Sequence, residues 1–308
     1  MNEVSVLAPA SVSNVVCGYD CLGFALAEPF DEMTVRKIEE PTVRIVHHDG
    51  FDLPLEPEKN VAGVALLSMI RAANLDFGFE VEMTKHIKPG SGIGSSAASA
   101  CGAVVAANRI LGERFSKLDL AAFAMEGEFL ASGARHADNV APCLFGGFTL
   151  VRSIEPLDVV SLEFPRLYAT VIHPQIEIKT AEARAMLPKE VLLKDAVRQW
   201  GNLGAFVAAL AKCDYELIGR SMTDLIVEPV RKALIPKFDE LKAASISVGA
   251  IGGGISGSGP SVFMLSGSPE CASKIGDAMK EVYAPTDIDF KIYFSEISSD
   301  GVRVSEKN

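Results

Sequence analysis

The 308 residues predict a two-domain α+β protein, and three observations carry that expectation. The chain exceeds the ~250–300 residues over which one hydrophobic core usually keeps growing. Its pattern changes near residue 165, which divides it into domains of residues 1–165 and 166–308. In the second of these the expected order is strand, helices, strand, strand, helix, strand, that of a split βαβ, ferredoxin-like unit.

The first domain opens with residues 3–8, 33–38 and 42–47, which alternate or run apolar with β-branched side chains and read as strands, with turns at Gly23 and Pro41. A helix is expected from Asn60 to Ile70. Phe79–Lys85 alternates again and delivers the chain to the loop Pro89-Gly90-Ser91-Gly92-Ile93-Gly94-Ser95-Ser96. Helices over about 95–111 and 117–131 follow, stopped by Gly112 and near Gly133. Strands at 147–152 and 158–163 close the domain. In the second, 167–172 reads as strand and 190–226 as mostly helix. Strands at 246–251 and 261–266 flank a second glycine loop, and helix 270–283 and strand 288–295 complete the unit.

Hydrophobic residues at 48% and charged ones at 22% suit a folded, soluble chain. Lys+Arg 29 against Asp+Glu 40 gives a net charge of -11, which repels phosphate backbones and anionic lipid, so neither nucleic acid nor membrane is expected as a partner. An anion site must therefore be local. Met1–Val6 lacks the basic start and apolar run of a signal peptide, and the apolar stretches are interrupted, as at Asn108 and Arg109, which points to the cytoplasm. The six cysteines are scattered. Cys17 and Cys21 alone make no zinc site, and all six read as thiols in a reducing compartment.

Glycines at 90, 92 and 94 permit a tight turn whose N–H groups approach a ligand with no side chain between. Ser95 and Ser96 are candidate N-caps of a helix opening Ala97-Ala98-Ser99-Ala100, and a helix N-terminus with free N–H groups attracts anions. Glycine content alone fits a packing turn as well. Gly92, Gly94 and Ala97 satisfy a dinucleotide-binding spacing, but the helix they open runs into another helix instead of a parallel strand. No Gly-Lys-Ser/Thr occurs, which excludes the common nucleotide P-loop.

Gly90–Ser99 resembles the central motif of the GHMP kinases. Ala8-Pro9-Ala10-Ser11-Val12-Ser13-Asn14, continuing to Tyr19-Asp20-Cys21-Leu22-Gly23, resembles their first motif, and Gly252–Ser261 their third. The three stand in the family's order across most of the chain. Two departures are local: Pro89 directly precedes Gly90, and Val16-Cys17 stands where the family has Gly-Pro. The resemblance implies a two-domain GHMP kinase fold, with an N-terminal ribosomal-protein-S5-like domain and a C-terminal ferredoxin-like domain. It also implies ATP as phosphoryl donor, held by Asn60 at the adenine, by Pro89, Gly90, Ser91, Gly92, Ile93, Gly94, Ser95, Ser96, Ala97, Ala98 and Ser99, and by Thr180 near the γ-phosphate. Mg²⁺ would sit on Ser96 and Glu128, with Glu126 close by as a rival. A hydroxyl and one carboxylate are a reasonable share of an octahedral shell completed by phosphate and water.

Within the family, Arg135–Pro142 and the segments around Arg184 and Arg231 resemble the branch that phosphorylates L-homoserine on the way to threonine. That resemblance assigns Asn14, Asp20, His136, Asn139, Arg184 and Arg231 to the substrate, with Asp20 and Asn139 also catalytic. Guanidinium forks suit a carboxylate, and Asp20 can accept from an ammonium or hydroxyl. Other branches place a catalytic aspartate where Asn139 falls, and an amide cannot take a proton. The expectation is that Asn139 orients the hydroxyl, that Asp138 points elsewhere along an extended loop, and that the proton passes to the phosphate. Alternatives are a GHMP kinase for mevalonate or a sugar, and a silent sensor of ATP and a metabolite. A homodimer is possible.

Overall fold

The computed structural model describes residues 1–48 and 50–305. In chain order the first half comprises strands β1 (Glu3–Ser13), β2 (Leu22–Ile38) and β3 (Val43–His47), helix α1 (Val61–Ala73), strand β4 (Gly78–Thr84), and helices α2 (Ser95–Ile110), α3 (Lys117–Ser132) and α4 (Val140–Phe145). Strands β5 (Phe148–Ile154) and β6 (Leu157–Leu162) end it. The second half holds β7 (Tyr168–Pro174), helices α5 (Thr180–Ala185), α6 (Leu193–Lys212), α7 (Tyr215–Ser221), α8 (Glu228–Arg231) and α9 (Phe238–Ser247), strands β8 (Gly252–Ile255) and β9 (Val262–Ser266), α10 (Pro269–Tyr283), β10 (Phe290–Glu296) and β11 (Arg303–Val304).

The first sheet runs β11-β1-β2-β4-β3, with β5 joined to β2 and β6 to β5; only β3 and β4 are parallel. Against it lies α2, which is buried along nearly its whole length between α1, α3 and the strands. That placement explains its alanines: Ala97, Ala100, Ala103 and Ala107 let neighbours on every side approach closely. The second sheet runs β10-β7-β9-β8, antiparallel throughout, the order of a ferredoxin-like unit.

Period-two alternation divides the second sheet's faces. Ile172, Val262 and Met264 pack under α9 and α10 with Phe238, Ile275 and Tyr283. Ala169, Val171, Phe263 and Leu265 face the other way, onto Phe206 of α6 and onto Val12, Phe24 and Phe148 of the first sheet. Phe24 stands 5.0 Å from Phe148 and 5.5 Å from Phe263, ring centroid to centroid, so one core joins the two sheets. The chain's end returns to the first sheet, where β11 pairs with β1 and the Val302 N–H donates to the Cys143 carbonyl at 2.7 Å.

Two expectations shift. Gly23 is no turn; it lies inside β2, where a Cβ would overlap the Asp138 carbonyl. The turn is residues 14–21 instead, with Asn14, Val15 and Val16 all at positive φ (70°, 40° and 59°). Two consecutive β-branched residues in that region are strained, and such strain collects at functional sites. Residues 246–247 end α9 rather than open a strand, and the strand is the glycine run 252–255 itself, since a Cβ on Gly253 would overlap the Phe263 carbonyl.

Candidate active site

The loop before α2 takes the conformation its glycines allow. Gly90, Gly92 and Gly94 all have positive φ (75°, 82° and 73°), and the two residues between them, Ser91 and Ile93, are buried. A Cβ on Gly92 would stand 2.6 Å from the Gly259 carbonyl oxygen, and one on Gly94 would overlap Ser11 Oγ. Gly94 rather than Ser95 or Ser96 is the N-cap, and no side chain caps the helix. The Ser95 hydroxyl is turned away, donating to the Ile87 carbonyl at 2.8 Å. The first-turn N–H groups are therefore left for a ligand, at the positive end of the helix dipole.

Beneath the loop lies a buried ion pair that sequence reading passed over. Lys85 pairs with Asp31 and donates to the Ser95 carbonyl at 3.1 Å and to Ser99 Oγ at 2.7 Å. Asp31 also accepts the N–H groups of His86 and Ile87, at 2.8 and 2.9 Å. The sequence gives no distinct signal for it, since Asp31 is one of several charged residues along β2, with Glu28, Glu32, Arg36 and Lys37. From the other domain, Ser256 Oγ donates to the Gly92 carbonyl and Ser261 Oγ to the Ser91 carbonyl, each at 2.7 Å. The third glycine motif thus closes over the second.

A cleft of about 510 Å³ opens in front of this loop, between the domains. Pro89, Gly90, Gly92, Gly94, Ser95, Ser96 and Ser99 line it, whereas Ser91, Ile93, Ala97 and Ala98 are buried facing the protein. Asn60 does not reach it. Its side chain caps α1, accepting from Ala62 and Gly63, and donates to the Pro54 carbonyl at 2.8 Å; Val61 and Leu53 line the cleft there instead. Thr180 lines it with Oγ1 3.2 Å from Ser258 Oγ.

Glu128, on α3, is 4% exposed and reaches the cleft beside Ser96. Burial pushes its pKa up, against the Ser96 hydroxyl, which lowers it. Its Oε1 is buried with no hydrogen-bond partner, an acceptor that a bound cation would satisfy. Glu126 is engaged elsewhere, 2.9 Å from Arg135 on the surface. Among the described residues no cluster of three acidic, His or Cys side chains could hold a metal; the Ser96 hydroxyl and the Glu128 carboxylate, side by side in the cleft, are donors of the kind that suit a hard ion sharing its shell with phosphate.

At the other end the cleft is polar and charged. Arg184 makes a forked pair with Asp20, both N–O distances 2.9 Å. Arg231 is 3% exposed and donates to the Ala183 carbonyl at 3.3 Å and the Gly257 carbonyl at 3.2 Å. Asn14 fixes the strained turn, accepting from the Asp20 N–H at 3.0 Å and donating to the Gly257 carbonyl at 2.7 Å. His136 lines the same end.

Asp138 overturns an expectation. Residue 139 is not in an extended loop; it has φ -97° and ψ -40° at the start of α4, so Asp138 and Asn139 both line the cleft. Burial raises the Asp138 pKa, with His136 and Ser13 acting in the opposite sense. Asn139 is braced, its Oδ1 accepting from Ser11 at 2.8 Å and its Nδ2 donating to Ser13 at 2.9 Å.

A bare helix N-terminus, a carboxylate–hydroxyl pair and a charged end, all in one interdomain cleft, are the features expected of a small-molecule kinase. The family model of the GHMP kinase N-terminal domain matches residues 60–147, and that of the C-terminal domain residues 206–285. The chain belongs to the GHMP kinases and, within them, to the homoserine kinase family. It is 45% identical to a homoserine kinase of Chloroherpeton thalassium over 99% of this chain and 100% of that one, and 41% identical to one of Chlorobaculum tepidum. The crystal structure of homoserine kinase from Cytophaga hutchinsonii superposes with a TM-score of 0.95 at 50% identity, covering 99% of this chain and 98% of that one. A Leishmania major mevalonate kinase, at 16% identity and a TM-score of 0.71, shares the fold.

Proposed function

We propose that this protein transfers the γ-phosphoryl group of ATP to the side-chain hydroxyl of L-homoserine, giving O-phospho-L-homoserine for threonine formation. The observation that carries this reading is the Asp20–Arg184–Arg231 group in the same cleft as the open start of α2, a carboxylate and two guanidiniums matched to an amino acid. Neither mevalonate nor a sugar has an ammonium for Asp20.

The N–H groups of the α2 first turn and the glycine loop take the phosphates, and Thr180 faces the γ-phosphate. Ser96 and Glu128 would hold Mg²⁺, and the ion would supply neutralising charge at the phosphates. Arg184 and Arg231 take the substrate carboxylate, and Asp20 its ammonium. Asn139, braced by Ser11 and Ser13, orients the hydroxyl, and Asp138 beside it accepts the proton. Phosphoryl transfer asks mainly for positioning and charge stabilisation, which these groups supply. No helix among the described residues is long and apolar enough to cross a membrane, and the cysteines are free thiols, in keeping with work in the cytoplasm.

The decisive experiment compares ADP production with L-homoserine, mevalonate, galactose and serine. Turnover well above background with homoserine alone is expected; equal or better turnover with another acceptor overturns the assignment.

A further inference from the structure

Tyr19 has no part in the chemistry above, yet it sits at the centre of the charged end. The Arg184 guanidinium lies 5.5 Å from its ring centroid and that of Arg231 5.2 Å. Its hydroxyl is buried with no hydrogen-bond partner of ordinary geometry. Burial, then the Asp20 charge, pushes the phenol pKa up, so the ring stays neutral.

Two guanidinium groups this close repel. Arg231 shows it: burial first, and the neighbouring Arg184 among the lesser causes, hold its pKa below the ordinary arginine value. Arg184 has its charge balanced by the fork to Asp20, while the hydrogen bonds given to Arg231 go to two carbonyls. Asp20 balances Arg184, which also feels the Asp138 carboxyl, so the excess positive charge at this end rests mainly on Arg231, whose guanidinium shares one aromatic ring with that of Arg184. An aromatic face attracts a cation and fixes its plane.

We propose that Tyr19 is the positioning residue of this site: its ring spaces the two guanidiniums for one carboxylate and so selects acceptors that carry an α-carboxylate over amino alcohols that lack it. The proposal rests on the reading that Arg184 and Arg231 bind the acceptor's carboxylate.

The test pairs Tyr19→Leu with Tyr19→Phe and reads kcat/KM for L-homoserine and for 3-aminopropan-1-ol, which is homoserine without its carboxylate. Loss of the ring is expected to cost about tenfold in preference for homoserine, the size of one or two cation–π contacts. The KM for ATP stays within about twofold, and Tyr19→Phe, which keeps the ring, keeps the preference within about threefold. Equal losses on both acceptors, or a matching rise in the KM for ATP, make the ring simple packing and overturn the proposal. Tyr19→Met, ringless and flexible, repeats the test if the leucine variant does not fold. Calorimetry with L-2-aminobutyrate, which has both charges and no hydroxyl, separates this proposal from the function. Binding by the wild type that weakens about tenfold in Tyr19→Leu supports the stack even if homoserine is not turned over. No binding by the wild type, or equal binding by both, overturns it.

Discussion

The Ser256 hydroxyl donates to the Gly92 carbonyl at 2.7 Å, tying the second domain's glycine loop to the middle of the loop that precedes α2. Ser256 is fully buried and the Gly92 backbone, at φ 82°, has no freedom to seek another donor. Ser256→Ala should raise the KM for ATP about three- to tenfold, the worth of one net hydrogen bond of ~1 kcal/mol. The KM for homoserine should change far less. Steady-state kinetics with each substrate varied in turn check this; equal rises in both constants would mean that the loop serves the cleft as a whole.

The Asp31–Lys85 pair predicts a stability effect. Both side chains are 2% exposed, and Asp31 also holds the turn at His86 and Ile87. Removing one partner strands a buried charge, so Lys85→Met should destabilise the fold by ~3–5 kcal/mol in urea unfolding. The double variant Lys85→Met with Asp31→Leu should recover part of that loss, since a pair replaced by apolar groups of similar size leaves no charge behind. No recovery would place the cost in the lost contacts to Ser95 and Ser99 instead.

Much of the fold was legible because its signals are local. The helices at 61–73, 95–110, 117–132 and 269–283 follow from periodicity and from stops at Gly112 and Gly133, and the positive φ of Gly90, Gly92 and Gly94 from glycine alone. What escaped depends on distant neighbours. Gly23 looks like a turn until the Asp138 backbone is found against it, and Gly252–Gly254 look like loop until β9 packs on them. At the site, Asn60 matched a nucleotide contact by motif, but its hydrogen bonds go to its own helix, to Pro54 and to His47. Asp138 was misplaced because alternation was applied to a residue that starts a helix, and Tyr19 passed unnoticed because its partners lie some 160 and 210 residues away.

Glu128 yields a prediction in which activity and stability move in opposite directions. Its pKa is raised in the fold, chiefly by burial, so its contribution to stability is present below the ordinary carboxylate value of 4.5 and is lost as pH rises through the raised value. Above the ordinary carboxylate value the buried Glu128 side chain therefore costs the fold stability that an uncharged amide would not. Glu128→Gln should raise Tm at neutral pH, with the gain shrinking toward pH 4, while lowering kcat by about 10²-fold or more through loss of a metal ligand. Mg²⁺ with a non-hydrolysable ATP analogue should raise the wild-type Tm more than that of the variant. Differential scanning fluorimetry across pH tests each statement, and a variant Tm below the wild type at pH 7.5 would refute the first.

Asp138 lies in the cleft beside Asn139, with its pKa raised by burial and by the Asp20 charge against the opposing effects of His136 and Ser13. A carboxylate in that setting holds its proton to higher pH than an exposed aspartate, and is a competent acceptor only above its raised pKa. The rate should therefore fall on the acid side as pH drops through that value, giving a limb in kcat. Asp138→Asn keeps the shape and removes the titration. It should abolish the acid limb and lower kcat by about 10²–10⁴-fold, the usual worth of a general base, while the KM for ATP stays near the wild-type value. Retention of most of the rate, with the acid limb intact, would return the proton to the phosphate and leave Asp138 to orient the hydroxyl. The Asn139 brace separates the two outcomes further. Ser11→Ala and Ser13→Ala each remove one hydrogen bond from its amide, at 2.8 and 2.9 Å. Ser13→Ala also removes the hydroxyl that lowers the Asp138 pKa, so it alone should move the acid limb, and move it upward.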